Sequence, residues 1–324
     1  MAAGKGTRMK SSLAKVLHEV FYAPMIHHVL DSVAGLGGEI IVVTGHQREK
    51  VEAVLKGYDV VFVNQEQQLG TGHAVLCAEH RISKDRDTVM ILCGDTPLIR
   101  KDTLSRMLAS HAASGSVLTI MTTILANPTN YGRIITGESG SVLRIVEEKD
   151  ASEGQKQIKE INAGIYCVAK DFLFKALGNV DTDNKQGEFY LTDIVRIAQK
   201  SGYVIERYQC DNPQEVLGVN SRVELAQAHN HIMMRRNEEL MLTGVTLIQP
   251  ETVIIEKKVT IGCDTVIHPN VHLTGGTAIG SGCVIKPFCI LHDCSVGDNV
   301  KIGPYSFIEH RVIADNEEIH AGTR

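Results

Sequence analysis

The first nine residues of the chain combine small residues, glycines and a basic side chain in a spacing that suits phosphate chemistry. The stretch reads Met1-Ala2-Ala3-Gly4-Lys5-Gly6-Thr7-Arg8-Met9. Glycine lets the main chain approach phosphate oxygens, and successive main-chain N–H groups form an anion-binding nest. Arg8 and, slightly downstream, Lys15 add two positive charges. The segment therefore predicts a loop that binds a polyphosphate.

Two common phosphate-binding motifs do not describe this loop. It lacks the Gly-x-x-x-x-Gly-Lys-[Ser/Thr] pattern of a P-loop. The dinucleotide fingerprint would need Gly or Ala three residues after Gly6, where Met9 stands. The loop must belong to another kind of phosphate site.

Composition excludes several classes of function. The chain has 324 residues, a net charge of −5, no Trp and 5% aromatic residues, which speaks against a nucleic-acid-binding protein. We find neither a signal peptide nor an apolar run of membrane-spanning length, and we expect no membrane partner. None of the eight cysteines forms a C-x-x-C pair, so we expect reduced thiols in a cytoplasmic protein.

The first 220 residues alternate between apolar runs typical of strands and helical patterns. The runs lie at 40–44, 60–63, 88–92 and 117–121, and the helical stretches include 24–34 and 50–55. Such alternation predicts a largely parallel sheet covered on both faces, with ligands at the carboxyl ends of its strands. Gln65 and Asp95 fall at such ends. Ser221 and Glu224 then predict a capping box that opens a helix ending near Gly244.

The last part of the chain has a different period. Its aliphatic residues recur every six positions, with two slips of one residue, at Ile255, Ile261, Ile267, Leu273, Ile279, Ile285, Leu291, Val296, Ile302, Ile308, Ile313 and Ile319. For the first seven of these positions, the residue two places earlier is small or β-branched, namely Val253, Val259, Thr265, Val271, Thr277, Cys283 and Cys289. A period of six fits hexapeptide rungs of a parallel β-helix and neither a helix nor a plain strand.

The loop, followed by Leu13-Ala14-Lys15-Val16-Leu17-His18, resembles the signature of sugar-1-phosphate nucleotidyltransferases. It is most similar to the bifunctional N-acetylglucosamine-1-phosphate uridyltransferase / glucosamine-1-phosphate acetyltransferase family, and the resemblance covers nearly the whole chain. Further matching motifs lie at 65–74, 93–98, 131–133, 145–150, 160–166, 187–193 and 218–222.

The resemblance implies an α/β nucleotidyltransferase domain with a Rossmann-like mixed sheet at 1–220. A linker helix at 221–244 and a shortened left-handed β-helix at 245–324 would follow. It further implies a homotrimer that makes UDP-N-acetylglucosamine and pyrophosphate from UTP and N-acetylglucosamine 1-phosphate, for peptidoglycan synthesis, with Mg²⁺ as cofactor.

The resemblance also assigns roles to individual residues. The catalytic residues would be Arg8 and Lys15; the nucleotide would be bound by Ala2, Ala3, Gly4, Gly6, Thr7, Lys15, Gln65, Gly70 and Thr71; the sugar phosphate by Gly132, Glu147, Asn162 and Asn220; and the metal by Asp95 and Asn220. These residue types suit the roles, because a glutamine offers the donor and acceptor that match uracil and a carboxylate is a hard ligand for Mg²⁺.

Several positions depart from the family pattern. Ala14 replaces a proline, which we expect to loosen the loop, and Ala163 replaces a threonine, whose missing hydroxyl we expect to affect sugar binding. Cys93 replaces a tyrosine and is interpreted as a packing variant. Thr192 or Asp193 is expected to cap the following helix.

Both ends of the chain are short against the family. We expect a strand before the phosphate loop that residues 1–3 cannot form, so that the start codon lies upstream or the chain has been trimmed. We also expect no acetyltransferase activity, because later β-helix coils are missing. Two alternatives stay open: a nucleotidyltransferase for another sugar or for dTTP, and a non-catalytic trimeric scaffold that binds sugar nucleotides.

Overall fold

The computed structural model describes residues 1–324. It contains two compact units, the first made of Met1–Glu19 and Ala23–Glu224, the second of Val20–Tyr22 and Leu225–Arg324. The three-part division at residues 220 and 244 expected from the sequence stays a prediction.

The α-helices are α1 (Met25–Val33), α2 (Arg48–Val54), α3 (Thr71–Leu76), α4 (Lys101–Ser114), α5 (Glu153–Lys156), α6 (Lys170–Leu177), α7 (Asp193–Lys200) and α8 (Arg222–Leu242). The strands up to residue 220 are β1 (Glu19–Val20), β2 (Ala23–Pro24), β3 (Ile41–Thr44), β4 (Val61–Asn64), β5 (Thr88–Ile91), β6 (Leu118–Ile124), β7 (Gly132–Thr136), β8 (Val142–Val146), β9 (Glu160–Ala169) and β10 (Ile205–Gln209). Those beyond are β11 (Thr246–Leu247), β12 (Ile254–Ile255), β13 (Thr260–Ile261), β14 (Val266–Ile267), β15 (His272–Thr274), β16 (Ala278–Ile279), β17 (Val284–Ile285), β18 (Ile290–His292), β19 (Ser295–Val296), β20 (Lys301–Ile302), β21 (Phe307–Glu309), β22 (Val312–Ile313) and β23 (Glu318–Ile319).

The largest sheet of the first unit is mixed. One six-stranded sheet has the order β10-β6-β9-β7-β8, with β5 also paired to β9. β9 is antiparallel to β5, β6 and β7, whereas β10 is parallel to β6 and β4 is parallel to β3. The expected strands are present within one to three residues of their predicted bounds. Fewer strand pairs are parallel than the apolar runs predicted. A strand buried on both faces has the same composition whether it runs parallel or antiparallel to its neighbour, so composition does not encode its direction.

The first two residues lie between β3 and β5. The N–H of Ala2 donates to the carbonyl of Val43 at 2.8 Å, and the carbonyl of Met1 accepts from Gly94 at 2.8 Å. The amino group of Met1 donates to the carbonyl of Leu92. Only an isolated bridge from Ala2 to Thr44 links this segment to β3 in the manner of a strand. Beside it lies a mostly apolar cavity of about 490 Å³, lined by side chains of α1, β3 and β5.

The second unit is a parallel β-helix, as the six-residue period predicts. Its strands form three sheets, β11-β14-β17-β20-β23, β12-β15-β18-β21 and β13-β16-β19-β22. Leu273 lies over Ile255, a coil of 18 residues, and Ile279 pairs with Val296 after the first slip. The two slips in period are therefore places where a coil is one residue shorter.

The small residues of the six-residue repeat fill the inside of the coils. Val259, Thr265, Cys283 and Cys289 are all fully buried. The thiols of Cys283 and Cys289 each lie 3.1 Å from a main-chain carbonyl of the next coil. All eight cysteines are free, which agrees with the interpretation of reduced thiols. No helix in the structure combines the length and apolar character needed to cross a bilayer.

Candidate active site

The phosphate loop turns at Gly6, whose φ of +62° lies in the left-handed region. A Cβ on Gly6 would lie 2.6 Å from the Cβ of Lys15, so only glycine allows the loop to lie against that lysine. Met9 is 1% exposed and anchors the far side of the turn. Gly4, Thr7 and Arg8 remain exposed. The loop thus offers its main chain to a ligand while its end is fixed in the core.

The replacement of proline by Ala14 was expected to loosen the loop, but the structure shows that this segment is held in place. Ala14 has a φ of −56°, which proline would also adopt. Its N–H, which a proline would lack, donates to the side chain of Gln47 at 2.9 Å. A hydrogen bond therefore fixes this segment in place of a ring.

Four predicted site residues meet in one cluster of charges. The ammonium of Lys15 contacts the carboxylate of Asp95 and lies 2.6 Å from the amide oxygen of Asn220. The guanidinium of Arg8 donates to the same amide oxygen at 2.8 Å. The cluster brings together residues from three distant parts of the sequence, as the expected catalytic and metal-binding roles require.

Main-chain contacts hold the two predicted metal ligands together. The N–H of Val219 donates to the carbonyl of Asp95 at 2.8 Å. The side-chain amide of Asn220 donates to the carbonyl of Gly218 at 3.1 Å, which leaves its oxygen aimed at the two cations. The N–H of Gly218 lies 3.2 Å from the hydroxyl of Tyr131.

The expected capping box at the start of α8 is only half formed. The N–H of Glu224 donates to the hydroxyl of Ser221, as predicted. The carboxylate of Glu224, however, accepts from the N–H of Asn220 at 2.7 Å rather than from that of Ser221. The cap therefore positions the predicted metal ligand as well as the helix.

The residues fit the metal that the resemblance implies. A carboxylate oxygen and an amide oxygen, those of Asp95 and Asn220, converge on one cation, the ammonium of Lys15. Hard oxygen donors of this kind suit Mg²⁺. The two side chains therefore offer the kind of oxygen donors that a hard divalent ion prefers.

Gln65 lies against the phosphate loop at the end of β4. Gln65 is 4% exposed. Gly45 lies between it and the loop: a Cβ on Gly45 would be 2.9 Å from the Cβ of the loop residue Ala3 and 3.2 Å from the carbonyl oxygen of Gln65. The side-chain amide of Gln65 donates to the carbonyl of Gly70 at 3.0 Å and lies 3.1 Å from Nδ1 of His73. His73, which the sequence did not single out, thus helps orient the group expected to bind uracil.

The turn at Gly70 is packed against residues 189–191. A Cβ on Gly70 would lie 2.6 Å from the carbonyl of Phe189. Gly72 donates to the same carbonyl, and the hydroxyl of Thr71 accepts from the N–H of Leu191 at 3.1 Å. The family motif at 187–193 supports the predicted nucleotide site through its main chain.

The three other residues expected to hold the sugar lie together. A Cβ on Gly132 would lie 3.5 Å from the carboxylate of Glu147 and 3.6 Å from Asn162, and Gly132 faces Asn162 across β7 and β9. Burial, above all other causes, raises the pKa of Glu147. The hydroxyl of Thr192 donates to that carboxylate at 3.2 Å.

One expectation around this cluster is wrong, and a second stays a prediction. Thr192 makes no side-chain hydrogen bond to the start of α7, so it orients Glu147 and does not cap the helix, and Asp193, the other candidate, is the first residue inside α7. Ala163 packs in an apolar cluster with Ile99 and Met121. Because its side chain lies among apolar residues there, these contacts give no support to an effect of the missing hydroxyl on sugar binding.

Asn162 and Cys93 complete the floor of this region. The amide oxygen of Asn162 accepts from the N–H of Gly164, and its amide nitrogen donates to the hydroxyl of Tyr166 at 2.7 Å. The thiol of Cys93 lies 3.8 Å from the carbonyl of Gly164. Burial, followed by the nearby Asp95 carboxylate, raises the pKa of Cys93 to about 11, which agrees with a packing role.

The structure adds two supporting residues that the sequence did not reveal. Tyr131 holds the loop of Asn220 through Gly218. Arg133 is 1% exposed and pairs with Glu148 at 2.7 Å, which fixes the strand that carries Gly132. The one sequence feature that pointed to these two residues was their position in the Tyr-Gly-Arg motif at 131–133.

The fold and the site together define a nucleotidyltransferase domain followed by a hexapeptide-repeat β-helix. The family model for a MobA-like NTP transferase domain matches residues 1–158, and the bacterial transferase hexapeptide model matches residues 258–293 and 279–310. A UDP-glucose pyrophosphorylase from Acinetobacter baumanii has a similar fold, with a TM-score of 0.55 over 74% of this chain and 96% of that chain, at 22% identity.

Curated relatives extend the similarity to the whole chain. The bifunctional protein GlmU of Desulfotalea psychrophila is 51% identical over 325 residues, covering 100% of this chain and 96% of the relative. That of Geotalea uraniireducens is 45% identical over 321 residues, covering 98% of this chain and 70% of the relative. The chain belongs to the family of bifunctional GlmU proteins.

This membership confirms the enzyme class expected from the sequence, a nucleotidyltransferase of the UDP-N-acetylglucosamine diphosphorylase type. It does not support the expected absence of acetyltransferase activity, because the relatives are named bifunctional and the hexapeptide domain is present.

Proposed function

We propose that the chain transfers a uridylyl group from UTP to N-acetylglucosamine 1-phosphate and so forms UDP-N-acetylglucosamine and pyrophosphate. The observation that carries the proposal is the cluster of Arg8, Lys15, Asp95 and Asn220, in which two cations meet two oxygen ligands beside an open phosphate loop. Membership of the GlmU family supports the substrates. The product would serve cell-wall synthesis in the cytoplasm.

Asp95 and Asn220 would hold Mg²⁺, which would supply a positive charge shared by the phosphates of both substrates. The convergence of their two oxygens on one cation supports this role. The main-chain hydrogen bond from Val219 to Asp95 holds together the loops that carry both ligands before substrate binds. Such preorganisation matters because charge stabilisation is the main catalytic term in phosphoryl transfer.

The chain's own residues would position the reacting groups. A phosphate oxygen of the sugar 1-phosphate attacks the α-phosphorus of UTP and forms the new P–O bond. The bond from that phosphorus to the bridging oxygen breaks, and pyrophosphate leaves with the electron pair. Lys15 and Arg8 would neutralise the charge on the α-phosphate and the leaving group, while the loop N–H groups hold the remaining oxygens.

Two pockets would select the substrates. The side-chain oxygen of Gln65, whose amide nitrogen is held by Gly70 and His73, would accept from the imide N–H of uracil. Glu147 and Asn162, beside Gly132, would bind the sugar hydroxyls and the acetamido group. A buried glutamine that binds uracil through hydrogen bonds would select against bases whose donors and acceptors are arranged differently from those of uracil.

A pyrophosphate-release assay tests the proposal. Sugar 1-phosphates (N-acetylglucosamine, glucose, galactose) would be combined with UTP, dTTP, CTP and GTP, with and without Mg²⁺. We expect the highest kcat/KM with UTP and N-acetylglucosamine 1-phosphate, and no turnover when EDTA is present. A stronger preference for another sugar or for dTTP would contradict the specificity. If calorimetry showed binding of UDP-N-acetylglucosamine but no pair of sugar 1-phosphate and nucleotide were turned over, the proposed enzymatic activity would be contradicted.

We also propose a homotrimer built on the β-helix. Apolar side chains project from its surface, where Phe288 and Tyr305 stack at 5.1 Å and are 48% and 67% exposed, and Phe307 is 42% exposed. Exposed apolar groups of this kind are typical of subunit interfaces. Light scattering should give three times the mass of 35.4 kDa, and Phe307→Glu should lower it; a monomeric wild type would contradict the trimer.

The second activity of the family needs a separate assay. Release of free thiol from acetyl-CoA in the presence of glucosamine 1-phosphate reports acetyl transfer. Turnover would show that this shorter β-helix supports the reaction, and its absence would bear out the expectation from the sequence.

A further inference from the structure

Three metal-ligating side chains meet at one corner of the β-helix, within the second unit. His292 ends β18, Asp293 follows it, and His310 occupies the equivalent corner of the next coil, directly after β21. Their ligand atoms all lie within 4.8 Å of one another. No role in nucleotidyl transfer or in the predicted metal site of Asp95 and Asn220 involves these residues.

The distances suit a single small cation. Nε2 of His292 lies 3.1 Å from Oδ2 of Asp293, and Nδ1 of His310 lies 3.8 Å from the same oxygen. In a tetrahedral zinc site with ligand bonds of roughly 2.0–2.1 Å, two ligand atoms are about 3.3 Å apart. The three donors therefore need only small side-chain rotations to share one ion.

Neighbouring groups orient two of the three donors. The hydroxyl of Thr274 lies 2.9 Å from Nδ1 of His292, and a proton on that nitrogen leaves Nε2 free to bind a metal. The N–H of Gly276 donates to Oδ1 of Asp293 at 2.6 Å, which leaves Oδ2 turned toward the histidines. Metal-binding histidines and carboxylates in proteins are commonly oriented by such outer hydrogen bonds.

The donor types decide the class of ion. Two imidazole nitrogens and one carboxylate favour Zn²⁺, Co²⁺ or Ni²⁺ over Mg²⁺ and Ca²⁺, which prefer oxygen ligands. An ion pair alone is the simpler interpretation of one histidine beside one aspartate. Here two histidines from successive coils approach the same oxygen, while Thr274 holds the far nitrogen of one of them.

We propose that His292, Asp293 and His310 form a binding site for a divalent transition-metal ion, best suited to Zn²⁺, with the remaining coordination position open to water. The site lies on the β-helix and does not depend on the proposed uridylyl transfer. A metal there would join two successive coils, because His292 and Asp293 belong to one coil and His310 to the next.

The test is titration of the full chain with Co²⁺ and Zn²⁺ in an excess of Mg²⁺, which would occupy the nucleotidyltransferase centre. Calorimetry should show one Zn²⁺ per chain, and Co²⁺ should give the strong visible absorption of four-coordinate cobalt. Asp293→Asn, whose amide oxygen can still accept from Gly276, should weaken Zn²⁺ binding at least tenfold. His310→Ala should do the same.

Three further variants separate the proposal from its rivals. Cys263→Ser removes the exposed thiol and His320→Ala removes an exposed histidine of the same β-helix; neither should change the affinity. Lys258→Gln should tighten binding, because Lys258 lies close enough to act on the charge of Asp293. Circular dichroism without metal should show that every variant folds. Absence of a bound Zn²⁺, or equal affinity in Asp293→Asn and wild type, would overturn the proposal.

Discussion

The N–H of Val219 donates to the carbonyl oxygen of Asp95 at 2.8 Å. This one main-chain contact joins the loop after β5 to the loop before α8, and each loop carries one of the two predicted metal ligands. Asn220 and Asp95 then face the same lysine. The backbone therefore holds together the two loops that carry these ligands, before any ion or substrate binds.

The cluster around Lys15 gives the most direct prediction. Lys15→Ala and Asp95→Ala should each lower the rate of pyrophosphate release by about 10²–10³-fold, the usual cost of removing one preorganised charge. Lys56→Ala, at an exposed lysine after α2, should leave the rate unchanged. Near wild-type turnover in either cluster variant would refute the assignment of these roles.

Tyr131 should matter although it carries no charge in the reaction. Tyr131→Phe removes the hydroxyl that accepts from Gly218, and an unpaired N–H costs about 1–3 kcal/mol. We expect the loop of Asn220 to become mobile, with a higher Mg²⁺ concentration needed for half-maximal activity. Tyr203→Phe, at an exposed tyrosine, is the matched control. An unchanged Mg²⁺ requirement in Tyr131→Phe would argue against this positioning role.

Gly6 and Gly4 should differ in their tolerance of a methyl group. Gly6→Ala would place a Cβ 2.6 Å from that of Lys15 at a φ of +62°, whereas nothing lies within 4 Å of a Cβ on Gly4. Left-handed backbone costs an L-residue roughly 1–2 kcal/mol, and the overlap adds to this. Urea denaturation should show a clear loss of stability for Gly6→Ala and little for Gly4→Ala; equal losses would mean that the loop relaxes freely.

Glu147 should link stability to pH. Because burial raises its pKa in the folded protein, the folded state binds this proton more tightly than the unfolded state does. The free energy of unfolding therefore falls as the pH rises from the unfolded pKa, about 4.3, through the folded pKa. Glu147→Gln removes this penalty and should be more stable than wild type at neutral pH, with the gain shrinking toward acid pH.

The same variant should bind the sugar phosphate more weakly, visible as a raised KM. Glu138→Gln, at an exposed glutamate, should change neither stability nor KM. A Glu147→Gln protein that is less stable than wild type at neutral pH would show that the carboxylate is better satisfied than its burial suggests.

The gap between β3 and β5 gives a fifth prediction. Fusing about five residues such as Val-Ile-Val-Ile-Leu before Met1 would place aliphatic side chains beside the cavity of about 490 Å³ and remove the amino group of Met1, whose pKa burial lowers. Each buried aliphatic contributes up to about 1.5–3 kcal/mol. Guanidinium denaturation should show a gain of several kcal/mol, whereas a Gly-Ser segment of equal length should give none. Equal curves for the two fusions would show that the cavity does not accept a strand.

The second unit was predictable from the sequence almost residue by residue. Each coil of a β-helix repeats the same environment, so the aliphatic period of six and its two slips translate directly into register, as Leu273 over Ile255 shows. In the first unit, strand positions were predictable but direction was not. The antiparallel course of β9 depends on contacts between distant segments, which no local pattern encodes.

The sequence by itself determined which residues could do the chemistry: the phosphate loop, Gln65, Asp95, Glu147, Asn162 and Asn220, all in motifs with a family resemblance. Only the tertiary structure decided how they are held, since Val219, Tyr131, Thr192 and His73 act through hydrogen bonds to residues that fold next to them. The same holds for His292, Asp293 and His310, which form no motif in the chain. Residue type fixes what a side chain can bind, but distance in space fixes which side chains bind together.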